Sequence, residues 1–152
     1  MFIRQATEED VRSFEIAIDD INEFCAMNPK RDLTSTLASH LTPSSVVLIH
    51  NDNVLAYGGN QGDSVWFLTS RLTARLTKGE KRKFGRRIAE YRDLMLDQYG
   101  TIWNYVWSDN KSHIKFLKLL GAKFHDEWTV SPVTGERFQL FTITKEDVCA
   151  SQ

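Results

Sequence analysis

Apolar residues near the start of the chain recur every three or four positions, the spacing of one face of an α-helix. The residues on this face are Val11, Phe14, Ile18, Ile21 and Cys25. Thr7 stands three residues before Asp10, the spacing of a capping box, so we expect the helix to begin there. Asn28-Pro29 would end it. The acidic residues of the opposite face, which we expect in water, are Glu15, Asp19 and Glu23.

Short runs rich in apolar and β-branched residues predict the strands of the first half. Phe2–Ala6 is the first run, and a second, shorter helix follows the first one, capped by Asp32 and extending to His40. The three runs after that helix are Ser45–His50, Val54–Gly58 and Ser64–Thr69. Turns at Asn51–Asn53 and Gly62-Asp63 join them, which predicts an antiparallel meander.

A basic segment leads into a long amphipathic helix in the second half. Its cations are Arg71, Arg75, Lys78, Lys81, Arg82, Lys83, Arg86 and Arg87. The apolar stripe of this helix is formed by Phe84, Ile88, Tyr91 and Met95. We expect the helix to end near Tyr99-Gly100, because glycine commonly follows a helix C-terminus.

The last third of the chain predicts one more helix between strands. Thr101–Trp107 alternates in the manner of a strand, and Ser108-Asp109 can cap the helix that follows. Gly121 would close that helix in a left-handed conformation. Ala122–Val130 and Arg137–Thr144 complete the pattern as two strands joined by a turn.

The order of predicted elements is β-α-α-β-β-β-α-β-α-β-β, with no internal repeat and no linker. A chain of 152 residues is long enough to bury about 70% of its unfolded surface in one core. We therefore expect one α+β domain over residues 1–146 around a single sheet, followed by a C-terminal tail at 147–152.

Composition excludes several classes of protein. The formal charge of −1 argues against a nucleic-acid binder that depends on net charge. No apolar run approaches the roughly 20 residues that a membrane-spanning helix needs, and the N-terminus lacks a signal-peptide pattern. Cys25 and Cys149 are isolated, and the histidines do not cluster, so we predict neither a disulfide framework nor a metal site. These features predict a soluble, intracellular protein.

Two patterns resemble the GNAT family of acyl-CoA-dependent N-acetyltransferases. The first is Ile3-Arg4-x-Ala6-Thr7-x-x-Asp10 at the front of the chain. The second is Asn110-x-x-His113-Ile114-x-Phe116-Leu117-x-x-Leu120-Gly121-Ala122-x-Phe124. The resemblance implies a mixed, mostly antiparallel twisted sheet of 6–7 strands with about four helices. It also implies a gap between two neighbouring central strands, beside the start of the long helix.

A closer resemblance is to the small internal core (virion morphogenesis) proteins of T7-like bacteriophages. It is carried by Leu55-Ala56-x-Gly58-Gly59-Asn60, Trp66-Phe67-x-Thr69-Ser70, Lys81-Arg82-Lys83-Phe84, Glu90-Tyr91-Arg92-Asp93, Trp103-Asn104-Tyr105-Val106-Trp107, Ser112-His113-Ile114 and Phe138–Lys145. This resemblance implies a phage protein in the host cytoplasm, in some cases associated with the virion. Its partner would be a phage or host protein, and the chain would be a monomer or homodimer.

The GNAT resemblance implies acetyl-CoA as the cofactor. A helix N-terminus behind a tight loop binds a pyrophosphate through free backbone N–H groups. The run aligned with the family's glycine-rich loop is Glu80–Gly85, in which only the last glycine is kept. Arg75–Gly79 is an alternative position for the loop. The residues implied to contact the cofactor are Leu68, Thr69, Ser70, Lys81, Arg82, Lys83, Gly85 and Asn110. A solvated basic helix face is the alternative interpretation of the lysines and arginine.

The proton-transfer groups of the family are missing at their usual positions. Ser64–Ser70 contains no carboxylate, and Leu117 stands where the family has a tyrosine acid. The nearest substitutes are Tyr105, Ser112, His113 and His125, of which the first three are our candidate catalytic residues. The alternatives are a packed aromatic face around Tyr105 and a surface or capping role for His113.

Two functions are therefore open. The first is an acetyl-CoA-dependent N-acetyltransferase that modifies a protein amine. The second is a non-catalytic phage protein that keeps the fold and serves virion assembly or binds a host factor. The aromatic rows at Trp66-Phe67 and Trp103–Trp107 would be core packing or, if exposed, a docking surface, and no nucleic-acid platform is predicted.

Overall fold

The computed structural model describes residues 1–150, which form one seven-stranded sheet with helices on both faces. The strands are β1 Phe2–Gln5, β2 Val46–His50, β3 Asn53–Gln61, β4 Ser64–Thr69, β5 Thr101–Trp107, β6 Lys123–Val130 and β7 Arg137–Thr144. The helices are α1 Glu8–Ser13, α2 Ile18–Met27, α3 Leu33–Ser39, α4 Lys78–Tyr99, α5 Lys111–Leu119 and α6 Lys145–Ala150, with a 3₁₀ helix at Arg71–Arg75.

The sheet order is β1-β2-β3-β4-β5-β7-β6, and every neighbouring pair is antiparallel except β4 and β5. The predicted strands and the predicted meander of β2, β3 and β4 are confirmed. The α+β class and the mixed, mostly antiparallel sheet are confirmed as well, with six α-helices among residues 1–150 where about four were expected.

Two main apolar clusters hold the helices against opposite parts of the sheet. One cluster joins α1 and α3 to β2 and β3, with Val11, Leu37, Val47 and Tyr57 at its centre. The other joins α4, α5 and α6 to β5 and β7, and its buried residues are Leu96, Ile102, Val106, Leu117, Leu120, Phe141, Ile143 and Val148. Alternate residues of β4 pack against the two clusters: Trp66 and Leu68 against the first, Val65 and Phe67 against the second.

The single helix predicted from Thr7 to Asn28 is wrong, because the structure contains two helices there. Thr7 does form the predicted capping box with Asp10, but Phe14 is extended (φ −70°, ψ 125°). Ile16 then forms an antiparallel bridge with Ser70 at the end of β4. This bridge changes the rotational position at which α2 begins. Glu23 therefore points into the protein and not towards water.

Two other boundaries differ from the sequence predictions. The cap of α5 is Asn110, whose side chain accepts the His113 N–H at 3.3 Å, and not Ser108-Asp109. Residues 147–150 of the segment predicted as a tail lie in α6, where Val148 is buried. Gly121 follows α5 with φ +93°, as predicted for a glycine that ends a helix. No helix of residues 1–150 is long and apolar enough to cross a membrane.

Candidate functional site

β4 and β5 run side by side only at their beginnings and then diverge. Their single register pair is Ser64 with Trp103. Beside it, the Trp103 N–H donates to the Asp63 carbonyl at 3.2 Å, and the Asn104 side-chain amide donates to the Val65 carbonyl at 2.6 Å. The gap that the resemblance implies between two central strands is therefore present.

Two carboxylates of α2 enter this gap and bind its walls. Asp20 accepts both the backbone N–H of Thr69 at 2.8 Å and the Thr69 hydroxyl at 3.0 Å. Glu23 accepts the backbone N–H of Trp107 at 2.8 Å. Thr69 is the last residue of β4 and Trp107 the last of β5, so α2 bridges the strand ends where the sheet is open.

The end of β4 is also covered by the segment between α1 and α2. The Ala17 N–H donates to the Thr69 carbonyl at 2.9 Å, and the Arg71 N–H donates to the Glu15 carbonyl at 2.9 Å. Ser70 is fully buried, and its N–H donates to the Leu55 carbonyl of β3. Both backbone groups of Thr69 and the Ser70 N–H are thus bonded within the chain.

A buried polar network links α2 to the start of α5. Asn110 is 1% exposed, and its amide donates to Asp20 at 3.3 Å and to Glu23 at 3.5 Å. His113 lies one turn into α5, with Nδ1 3.9 Å from the Asp20 carboxylate and its ring 4.8 Å from that of Phe67. Burial lowers the pKa of His113, and the Asp20 carboxylate opposes that shift.

Glu23 is the most perturbed carboxyl of the network. Its pKa is raised to about 7, because burial and the Asp20 carboxylate raise it more than the hydrogen bonds from the Trp107 amide and the Asn110 side chain lower it. A carboxyl with such a pKa is about half protonated at neutral pH. The gap is therefore lined by two carboxyl side chains that share Asn110.

The start of α4 carries its own negative charge. Thr77 caps the helix in a box with Glu80, whose carboxylate accepts the Thr77 N–H at 2.9 Å. The same carboxylate lies 2.6 Å from His50 Nε2. The bonds from Thr77 and His50 lower the pKa of Glu80 to about 2, so it is ionised.

The residues aligned with the phosphate loop, Glu80–Gly85, lie inside α4 and not ahead of it. The Lys81 N–H is already bonded to the Thr77 carbonyl at 2.9 Å, as in any helical turn. Gly85 has no atom within 4 Å of where a Cβ would stand, so no group approaches it closely. Arg75–Thr77 is the segment that precedes the helix.

A cleft of about 640 Å³ lies beside this network, between the 3₁₀ helix, α4, α5 and the start of α2. Four of the predicted site residues line it: Thr69, Lys81, Ser112 and His113. Phe67 and His113 also line a second cavity of about 160 Å³, and the predicted residues Leu68 and Tyr105 lie on that one. Arg82, Lys83 and Gly85 line neither cavity.

The candidate catalytic hydroxyls are bonded to acidic side chains. Ser112 donates to Asp19 at 2.7 Å. The Tyr105 hydroxyl donates to Glu127 at 3.2 Å, and partial burial together with that carboxylate raises its pKa. Tyr105 also packs edge-to-face on Trp103, with 6.1 Å between the rings, so it belongs to a half-buried aromatic row.

The sequence analysis did not predict the three acidic residues of the site. Asp20 and Glu23 lie in the gap, and Glu80 places a negative charge at the start of α4. A signal was available in Phe14–Ile18, where apolar residues alternate with period two and indicate extended chain between two helices. Glu80 pairs with His50, which is 30 positions away in the sequence, so local spacing does not predict this contact.

Two acidic features of the site oppose the binding of acetyl-CoA. The gap that would take the thioester arm holds the carboxyl groups of Asp20 and Glu23, which bind the amides of its walls. The helix start that would take the pyrophosphate holds the ionised Glu80, and like charges at close range repel.

Comparison with known proteins gives a phage family for the sequence. Residues 44–129 match the family described as "Bacteriophage T7, probable scaffold protein Gp13". The "Probable scaffold protein gp13" of Escherichia phage T7 is 57% identical over 91 residues, which are 60% of this chain. The match spans 63% of that curated relative's length, which is less than two thirds.

Solved structures give the fold. A ribosomal-protein-alanine N-acetyltransferase from Brucella melitensis has a TM-score of 0.65 and 14% identity, covering 95% of this chain and 99% of the other. A GCN5-related N-acetyltransferase from Kribbella flavida has a TM-score of 0.63 and 17% identity, covering 93% and 96%. A putative acetyltransferase from Salmonella typhimurium, solved with its cofactor acetyl-CoA, has a TM-score of 0.61 and 17% identity, covering 95% and 93%. Both predicted resemblances, to the GNAT fold and to T7-like phage proteins, are confirmed.

Proposed function

Because the chain belongs to the family of the probable scaffold protein Gp13 of bacteriophage T7, we propose that it serves phage particle assembly as a binding protein without acetyl transfer. In this proposal the acetyltransferase fold is a scaffold for binding a phage or host protein. In this proposal the binding takes place in the host cytoplasm, where particles assemble.

One observation carries the proposal: α2 bridges the open ends of β4 and β5 through Asp20 and Glu23. These bonds satisfy the Thr69 and Trp107 amides inside the protein, so a ligand in the gap would have to displace two carboxyl groups. Breaking a buried hydrogen bond to a charged group without replacing it costs about 1.5–3 kcal/mol.

The candidate proton-transfer groups support the same proposal. Acyl transfer to an amine needs a base near neutral pKa and an acid for the departing thiolate. The Ser112 and Tyr105 hydroxyls donate to Asp19 and Glu127, and Glu23, whose pKa is raised to about 7, already accepts the Trp107 N–H and the Asn110 amide. Leu117, at the position of the family's tyrosine, is 2% exposed and part of the core.

The test is a thermal-shift titration with acetyl-CoA, combined with an assay for release of the free CoA thiol. We expect no rise in Tm at millimolar cofactor and no thiol release above the rate without protein. A ligand at a hundred times its Kd would stabilise the native state by about 2.7 kcal/mol, which such a titration detects. A rise in Tm with turnover that His113→Ala abolishes would overturn the proposal.

Acetyl transfer is the second candidate function, and the cleft of about 640 Å³ favours it, because Thr69, Lys81, Ser112 and His113 meet there. It predicts a Tm rise with acetyl-CoA that Lys81→Ala with Lys83→Ala removes. An unchanged rise in that double variant would reject the basic segment as the phosphate site while leaving cofactor binding in place.

A further inference from the structure

The cleft has an apolar wall that extends to its rim. Phe67 and Phe84 both pack against Phe116, with ring centroids 5.7 and 5.8 Å apart. Leu119 is 73% exposed and Ile18 is 65% exposed, and both line the same cleft. Exposed large apolar side chains that continue a concave apolar surface are typical of a protein-binding site.

Lysines border this apolar wall on α4 and α5. Lys81 and Lys115 line the cleft and are exposed. Lys78 lies one helical turn before Lys81 on α4. Within residues 1–150 none of these three lysines forms an ion pair with a carboxylate. We call them the basic rim.

We propose that this cleft binds an acidic amphipathic segment of a partner protein, with apolar side chains against Phe116 and Leu119 and carboxylates against the basic rim. The inference rests on the proposed function, since it names the chemistry of the partner that the binding protein takes. The overall charge is −1, so the basic rim is a local excess of positive charge. An acidic partner is complementary to that charge.

A nucleic acid fits this surface less well than an acidic peptide. The aromatic rings contact one another at interplanar angles of 61° and 49°, so they do not present open faces for stacking bases. Leu119 and Ile18 require apolar partners, which a peptide supplies.

The experiment uses two labelled peptides of about five helical turns, each with leucine at helical spacing. One carries glutamate at the remaining positions and the other carries lysine, and a labelled single-stranded DNA is the third probe. Binding to the full chain is followed by fluorescence anisotropy. We expect the acidic peptide to bind, and Lys81→Glu with Lys115→Glu to weaken it by about tenfold or more.

The matched control is Lys30→Glu with Lys123→Glu, which reverses two exposed lysines outside the cleft. This variant should bind the acidic peptide as the parent does, and Leu119→Ser should weaken binding without any change of charge. Equal losses in the control, equal binding of the lysine peptide, or preference for DNA would each overturn the inference. Far-UV circular dichroism and Tm verify that every variant is folded.

The two proposals fail separately. If neither acetyl-CoA nor the acidic peptide binds, the docking inference falls and the assembly function stands. If acetyl-CoA binds and is turned over, the assembly function falls whatever the peptide does. The same variants can be supplied to phage that lack their own gene for this protein. Lys81→Glu with Lys115→Glu should then yield fewer particles than Lys30→Glu with Lys123→Glu, and equal yields would contradict the docking inference.

Discussion

Asp20 and Glu23 lie one helical turn apart on α2 and bind the last residues of two strands that separate. Asp20 accepts two hydrogen bonds from Thr69 and one from Asn110. Glu23 is half-buried beside it, and its pKa is raised to about 7. Burial and the neighbouring Asp20 carboxylate are the two causes that raise this pKa.

At the residue scale, Glu23→Gln should stabilise the protein in a pH-dependent way. The ordinary pKa of 4.5 is raised in the folded state, so between pH 4.5 and about 7 the unfolded chain loses a proton that the folded chain keeps. The free energy of unfolding of the parent therefore falls as pH rises through this range, whereas glutamine, which still accepts the Trp107 N–H, avoids the loss.

Urea unfolding at several pH values measures this effect. We expect the variant to exceed the parent by about 2–3 kcal/mol near pH 8 and to match it near pH 4. A difference that stays constant with pH would show that Glu23 does not titrate between the two states.

At the element scale, helices begin and end where their caps predict, except where another element intervenes. Thr7, Asp32 and Thr77 cap α1, α3 and α4 through their own side chains. The break between α1 and α2 is not set by a capping side chain, because Ala17, which precedes α2, makes no side-chain cap. It arises because Ile16 bridges to Ser70, and hydrogen bonds to a strand edge outweigh the weak preference of a short segment for helix.

Gly85→Ala should stabilise α4. Gly85 lies within the helix, and the space that a Cβ would occupy has no atom within 4 Å, so alanine only reduces the entropy of the unfolded chain. We expect a gain of about 0.5–1 kcal/mol in chemical denaturation. A loss of stability would indicate that another group needs close approach at this position.

Gly121→Ala is the contrasting control. Gly121 has φ +93°, and a Cβ there would stand 3.0 Å from the Cα of Val148 in α6. Strain and backbone contact should together cost about 2–4 kcal/mol. The two glycine variants therefore move stability in opposite directions.

At the scale of the whole molecule, the polar network joins two halves that the open sheet leaves separate. α2 contacts the β4 side through Asp20, and α5 is capped by Asn110 on the β5 side. The amide of Asn110 reaches Asp20 over 90 residues of sequence. Buried polar networks of this kind depend on every member being bonded.

A double-mutant cycle measures this link. Asp20→Ala and Asn110→Ala each leave buried partners without hydrogen bonds, so their effects on stability should not add. We expect a coupling energy of about 1–2 kcal/mol. Asp20→Ala with Asp97→Ala is the reference pair, because Asp97 is exposed and bonded to Lys145, and its effects should be additive. Additivity in the test pair would mean that the network does not link the halves.

Most strands, the bounds of α3 and the end of α4 follow from the sequence, because strand and helix periods and capping residues are local properties. The likeness at Asn110–Phe124 also gives the fold, since it marks one helix and its entry into a strand. Of the residues predicted for the site, Thr69, Lys81, Ser112 and His113 line one cleft. Their chemical roles stay predictions.

The sequence therefore predicts the order of the strands, the class of fold and the family of phage proteins. Tertiary structure alone decided what fills the gap between β4 and β5. Asp20 and Glu23 enter it because a strand bridge at Ile16 changes where α2 begins, and Glu23 there binds the amide of Trp107, which is more than 80 positions away. Local patterns cannot carry that information, since it depends on which distant surfaces meet.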